Sequence, residues 1–149
     1  MIKIATCDDF EIVGQFVKLL LLEIEPSSSE EIDGMNFTAI SQELLAEKKI
    51  IAFLAYDDVK PVGVITLCEL GAIYAGGLFG EVNELYVLPA YRSMKLGNQL
   101  IESAVKYGKG VGWSKLQLGT PDQVSSKSVI NFYRSHGFKG NGLRLGLAL

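Results

Sequence analysis

The chain has 149 residues and is 48% hydrophobic, enough for one well-packed domain over residues 1–149 and too apolar for a disordered segment. Fourteen Lys and Arg against 17 Asp and Glu give a net charge of -3, which argues against a broad basic surface for nucleic acid. Two cysteines, Cys7 and Cys68, and a single histidine, His136, are too few for a disulfide framework, a metal cluster or a histidine-based triad.

Ile2 to Ala5 reads as a short strand. No leader precedes it and no apolar run reaches membrane-spanning length, so the expectation is a cytoplasmic chain with no membrane partner. Thr6-Cys7-Asp8-Asp9 has capping-box spacing and opens a helix whose stripe is Ile12, Val13, Phe16, Leu19 and Leu20. Pro26 ends that helix, and Ser27 to Ser29 read as loop. Glu23, Glu25, Glu30, Glu31 and Asp33 cluster there, either as a solvated loop or as an acidic lip over an amine-binding cleft. A second helix is expected over Thr38 to Lys48.

Ile50 to Tyr56 and Val62 to Leu70 form a predicted hairpin, with Ala72 to Ala75 as an extension and Gly76-Gly77 as the next turn. Leu78 to Leu88 is a third strand bearing Glu81 and Glu84. A helix follows from about Tyr91 to Tyr107, ended by a glycine-rich turn at Gly108, Gly110 and Gly112. Lys115 to Gly119 is a short strand, and Ser125 or Ser126 caps a helix carrying Val129, Phe132, Tyr133 and His136, with Gly137 as its C-terminal glycine. Leu143 to Leu149 reads as a last strand. Hairpins beside single crossover helices predict an α/β chain with a mixed sheet and helices on both faces.

One local rule is broken. Leu85 to Leu100 reads as a strand end, a turn at Pro89, and a helix start. Arg92 and Lys95 fall in the expected first turn, where the helix dipole disfavours cations, with no acidic neighbour to offset them. Such a helix start is either an anion site, with N–H groups and two cations holding phosphate oxygens, or a plain loop with solvated side chains.

Two motifs carry a family resemblance. Val87-Leu88-Pro89-Ala90-Tyr91-Arg92-Ser93-Met94-Lys95-Leu96-Gly97 resembles the phosphate-binding pattern of the GNAT N-acetyltransferase superfamily, a strand and turn followed by Arg or Gln, two residues, Gly, one residue, and Gly or Ala. Phe132-Tyr133-Arg134-Ser135-His136-Gly137-Phe138 resembles the family's second signature, and the order of elements is similar along essentially the whole chain. The resemblance implies a mostly antiparallel central sheet. It also implies acetyl-CoA as co-substrate, with backbone N–H groups from Arg92, Ser93, Met94, Lys95, Leu96, Gly97 and Asn98 on the pyrophosphate. The strand edge at Leu85, Tyr86 and Val87 would meet the pantetheine arm where that strand splays from the next. No metal is implied.

Lys95 stands where the family has its first glycine. It either blocks the phosphates or swings aside and pairs with one. Tyr133 resembles the general acid that protonates the leaving thiolate. Glu81 matches the catalytic glutamate of histone-acetylating members and Glu84 an acidic position of small-molecule acetylators. On a regular strand the two face opposite sides, with Glu81 sharing the face of Asn83, Leu85 and Val87; Glu81 is the expected base, directly or through water, unless a bulge near Asn83 changes the faces. The expected activity is acetyl transfer to a primary amine of a small, cationic molecule or a peptide. The alternatives are a non-catalytic acyl-CoA sensor and an interaction domain whose apolar last strand pairs with a second copy.

Overall fold

The computed structural model describes residues 1–120, 127–140 and 144–149. Strand β1 (Ile2–Ile4) leads through a 3-10 turn (Cys7–Asp9) into α1 (Phe10–Ile24); a second 3-10 turn (Pro26–Ser28), α2 (Ser29–Asp33) and α3 (Phe37–Ala46) follow. Then come β2 (Ile51–Asp57), β3 (Lys60–Ala72) and β4 (Gly77–Val87), a 3-10 turn (Pro89–Met94), α4 (Leu96–Val111), β5 (Leu116–Leu118) and α5 (Lys127–Ser135). The expected capping box is present. The Asp8 N–H donates to Thr6 Oγ1, and Asp9 Oδ2 accepts from the Thr6 N–H at 2.6 Å.

The five strands lie in the order β1-β2-β3-β4-β5. The first four pair antiparallel, and β5 joins β4 in parallel through the α4 crossover. The sheet is therefore mixed and mostly antiparallel. Its two faces carry separate cores. On one, Val13 and Phe16 of α1 and Leu45 of α3 pack on Ala52, Leu54, Val64 and Tyr86. On the other, Leu96, Leu100, Ile101 and Ala104 of α4 pack on Ala55, Ile65, Leu67, Val82 and Val87, with Phe132 and Tyr133 of α5 alongside.

Several boundaries differ from the sequence expectation. Part of the stretch read as serine loop is helical, because Glu30 and Glu31 in the first turn of α2 favour a helix start there. The helix expected from Thr38 to Lys48 runs from Phe37 to Ala46, opened by Asn36, whose Oδ1 accepts from the Ala39 N–H at 3.0 Å. Extension through Ala75 is stopped by a turn in which Gly76 and Gly77 take φ of 77° and 130°. The helix expected from Tyr91 to Tyr107 begins at Leu96 and continues through Gly108 and Gly110 to end at Gly112, whose φ of 83° is the left-handed stop. Within the helix Gly108 lies against the Trp113 indole, where a side-chain carbon would come within 2.9 Å of the ring. Residues 144–149 form no strand, with Leu145, Leu147 and Leu149 almost wholly exposed; Leu143 and the proposed caps Ser125 and Ser126 lie outside the described residues.

Candidate active site

The site begins with a fault in the sheet. Thr66 pairs with Glu84 while Leu67 pairs with Val82, so Asn83 is an extra residue, a β-bulge. The bulge reverses alternation along β4. Val82, Leu85 and Val87 all join the α4-side core, whereas Tyr86 joins the α1-side core. Glu81 and Glu84 consequently share the α1 face. The expectation that the two carboxylates look to opposite sides, with Glu81 beside Leu85 and Val87, is thus corrected.

The same fault marks where β4 and β5 part. Their pairing covers Gly80 to Val82 against Leu116 to Leu118, and among the described residues β4 has no β5 partner beyond Val82. The edge of Leu85 to Val87 is left without a β5 partner among the described residues, the start of a slot between the two strands. At its mouth lies a cavity of about 430 Å³ lined by Leu85, Val87, Arg92, Ser93, Lys95, Gly97, Asn98 and Phe132. Seven of the ten residues expected to bind cofactor therefore meet in one place. Of the other three, Tyr86 turns its ring onto Phe16 on the opposite face at 6.0 Å, Leu96 is buried in the core, and Met94 is half exposed.

Arg92 and Lys95 are placed otherwise than in a first helical turn. Arg92 sits in the preceding 3-10 turn. Its Nη1 and Nη2 donate to Glu23 at 2.8 and 2.6 Å, and its Nε donates to the Val87 carbonyl at 2.9 Å. An acidic partner, Glu23, is thus present after all, 69 residues earlier at the end of α1, and the Arg92 guanidinium holds its carboxyl below the usual range. Lys95 is the residue before the helix, with φ 57° and ψ 20°. That left-handed conformation costs a non-glycine residue about 1 kcal/mol. It explains why glycine suits this position, and it overturns the expectation of ordinary helical angles. Gln99 N–H to the Lys95 carbonyl, 3.2 Å, starts the helical ladder, so the N–H groups of Leu96, Gly97 and Asn98 precede it and can serve an anion.

The two carboxylates have different surroundings. Glu84 is enclosed; Thr66 Oγ1 donates to its Oε2 and accepts from the Glu84 backbone N–H at 3.1 Å. Burial pushes its carboxyl up to about 7. Glu81 is raised by burial but lowered more by hydrogen bonds from Arg144 and Gln117 and by the Arg144 charge, and stays below its usual range. Arg144 Nη1 and Nη2 donate to Glu81 at 2.6 and 3.1 Å, and Gln117 Nε2 donates at 2.9 Å. Cys68, opposite Glu81, donates its thiol to Asn83 Oδ1 at 3.4 Å; burial raises its pKa and keeps it a thiol.

Tyr133 lies on α5 between the rings of Phe132 and Phe138, at 5.2 and 5.7 Å. Burial pushes its phenol up to about 12, so it is a proton donor at neutral pH. Phe132, beside it, reaches the cavity and packs over Gly97, where a methyl group would lie 3.2 Å from its Cζ. Phe132, Thr66, Gln117 and Arg144 were not marked as site residues from the sequence, and Glu23 appeared there only within the acidic cluster. Of the first four, only Phe132 left a signal there, as part of the aromatic motif; the rest are brought in by strand register or from distant segments.

A family model described as an acetyltransferase (GNAT) domain matches residues 48–140. The chain belongs to this family and is by class an N-acetyltransferase. It is 27% identical over 145 residues to an aminoalkylphosphonate N-acetyltransferase of Salmonella typhimurium, covering 97% of this chain and 88% of that protein. Among solved structures, a GCN5-related N-acetyltransferase from Ralstonia eutropha superposes with a TM-score of 0.85 at 16% identity, covering 99% and 97% of the two chains. An aminoglycoside acetyltransferase from an uncultured soil sample does so at 0.81 and 18%, covering 100% and 97%.

Proposed function

We propose that this protein transfers an acetyl group from acetyl-CoA to a primary amine of a small molecule. The observation that carries the reading is the parting of β4 from β5 after Val82, directly above the cavity at the start of α4. An extended backbone edge and a set of oriented N–H groups suit a thioester arm and a diphosphate respectively. The residues present fit the group. Gly97 and Asn98 offer backbone donors, Ser93 a hydroxyl, Lys95 a cation, and Leu85 and Val87 an apolar wall. Arg92 serves as a strut between Glu23 and Val87.

Acetyl-CoA supplies an activated acyl carbon and a thiolate leaving group. Glu84, with its pKa of about 7, accepts the proton of the incoming ammonium, directly or through water. Glu81 is engaged by Arg144 and Gln117 and stays ionised at lower pH, which makes it the weaker base. The amine nitrogen forms a bond to the acyl carbon as the carbon–sulfur bond breaks. Tyr133 donates its phenolic proton to the departing sulfur, and the proton shed by the new amide nitrogen restores the phenol. The Val87 region, at the strand edge, holds the acyl carbonyl in place. The relative that acts on aminoalkylphosphonates supports a small amine as acceptor.

The test is a thermal shift with acetyl-CoA followed by thiol release with a panel of amines. The expected result is stabilisation by acetyl-CoA together with turnover of at least one small amine. Stabilisation without turnover on any amine would leave an acyl-CoA-binding protein, and no stabilisation would defeat the reading.

A further inference from the structure

Arg144 takes no part in the scheme above, yet it stands where β4 and β5 separate. Its Nη1 lies 3.2 Å from where a side chain would begin at Gly119, just past the end of β5, and both terminal nitrogens reach across to Glu81 on β4. The guanidinium therefore bridges the seam at the closed end of the slot. It does so on the α1 face, the face that Glu81 shares with Glu84. Arg144 is 55% exposed and Glu81 15% exposed, so the cation is the partner that meets solvent. Glu81 is also held by Gln117, and its negative charge is turned inward.

From this placement we propose that the Arg144–Glu81 pair is a charge selector for the acceptor. The exposed guanidinium favours an amine that also carries an oxyanion, a carboxylate or a phosphonate, and disfavours a second ammonium. The proposal rests on the acetyltransfer reading and adds the substrate class to it. Glu81 takes two of the five guanidinium N–H groups, and the outward ones are left to bind such an oxyanion. A polycation, in contrast, would have to displace Arg144 to reach Glu81, leaving the arginine beside a second positive charge.

The experiment uses four amines of similar size with the full chain and acetyl-CoA: 2-aminoethylphosphonate, β-alanine, propylamine and 1,3-diaminopropane. The wild-type protein should prefer the first two; comparison between them separates phosphonate from carboxylate as the recognised group. Arg144→Gln should lower kcat/KM for the two anionic amines by about tenfold or more, the loss expected when a charged hydrogen bond goes, and spare propylamine. Arg144→Lys should recover part of it. Glu81→Gln should move selectivity the other way, further against diaminopropane. Equal effects of Arg144→Gln and Glu81→Gln on all four amines would reduce the pair to a structural clamp, and a wild-type preference for the diamine would overturn the proposal.

A thermal shift with 2-aminoethylphosphonate alone gives a readout independent of turnover. A wild-type shift that Arg144→Gln abolishes supports the selector even if no amine is acetylated, which would count against the acetyltransfer reading alone. No shift in the wild-type protein overturns the selector while leaving any observed turnover standing.

Discussion

Glu84 owes its character to a pocket rather than to its neighbours in sequence. Its pKa of about 7 lies above the ordinary 4.5 of the unfolded chain, so the native state holds a proton that the unfolded state releases between these values. The associated stability is fully present below pH 4.5 and is lost as pH rises through 7, on the order of 3 kcal/mol in all. Urea unfolding of wild type and Glu84→Gln across pH 4 to 8 should show this decline only in the wild type. Activity runs the opposite way. If Glu84 is the base, kcat/KM climbs with pH through about 7, and Glu84→Gln loses about 100-fold or more and flattens the limb.

Lys95 gives a second test at this scale. Lys95→Gly relieves a left-handed backbone and should raise stability by about 1 kcal/mol in a thermal melt. The same change removes a cation from the cavity and should weaken acetyl-CoA binding and reduce its salt dependence. A variant both more stable and a poorer binder would separate strain from function.

At the scale of elements, the Asn83 bulge does the most. It turns Glu81 and Glu84 onto one face, and it lies where β4 leaves β5. Deleting Asn83 would leave Glu84 opposite Thr66, Val82 opposite Leu67 and Glu81 opposite Cys68, a plain ladder that keeps both carboxylates on the α1 face. The expected outcome is a chain that still folds, with a change within about 1 kcal/mol in urea unfolding, since no ionised carboxylate enters the apolar core. The link between α1 and the turn before α4 is milder. Arg92 and Glu23 are 44% and 48% exposed, so Glu23→Gln should cost less than about 1 kcal/mol in the same assay.

For the molecule as a whole, two cores sandwich one sheet, and the α4 side supports the slot. Leu100 is fully buried there, and Leu100→Ala should destabilise by about 2–5 kcal/mol. Gly80 joins the sheet to the loop after α4. A methyl group at Gly80 would fall 2.1 Å from the Trp113 ring, which is itself packed on Tyr107, so Gly80→Ala should cost about 1–3 kcal/mol or more, read as a lowered melting temperature.

The family resemblance led to the meeting of Leu85, Val87 and most of the 92–98 segment, whereas the sequence by itself was enough for the order of elements from β1 to α5 apart from the short α2, the capping box at Thr6, and the hairpin of β2 and β3. These are set by hydrophobic period, turn chemistry and charge placed within a few residues, and each is written locally in the chain. Tertiary structure decided the rest. Arg92 found Glu23 across 69 residues, Arg144 found Glu81 across 63, and one extra residue at Asn83 moved Glu81 to the opposite face. Strand register and long-range ion pairs depend on which segments the fold brings side by side, and a period of two along a strand carries no mark of where it will be broken.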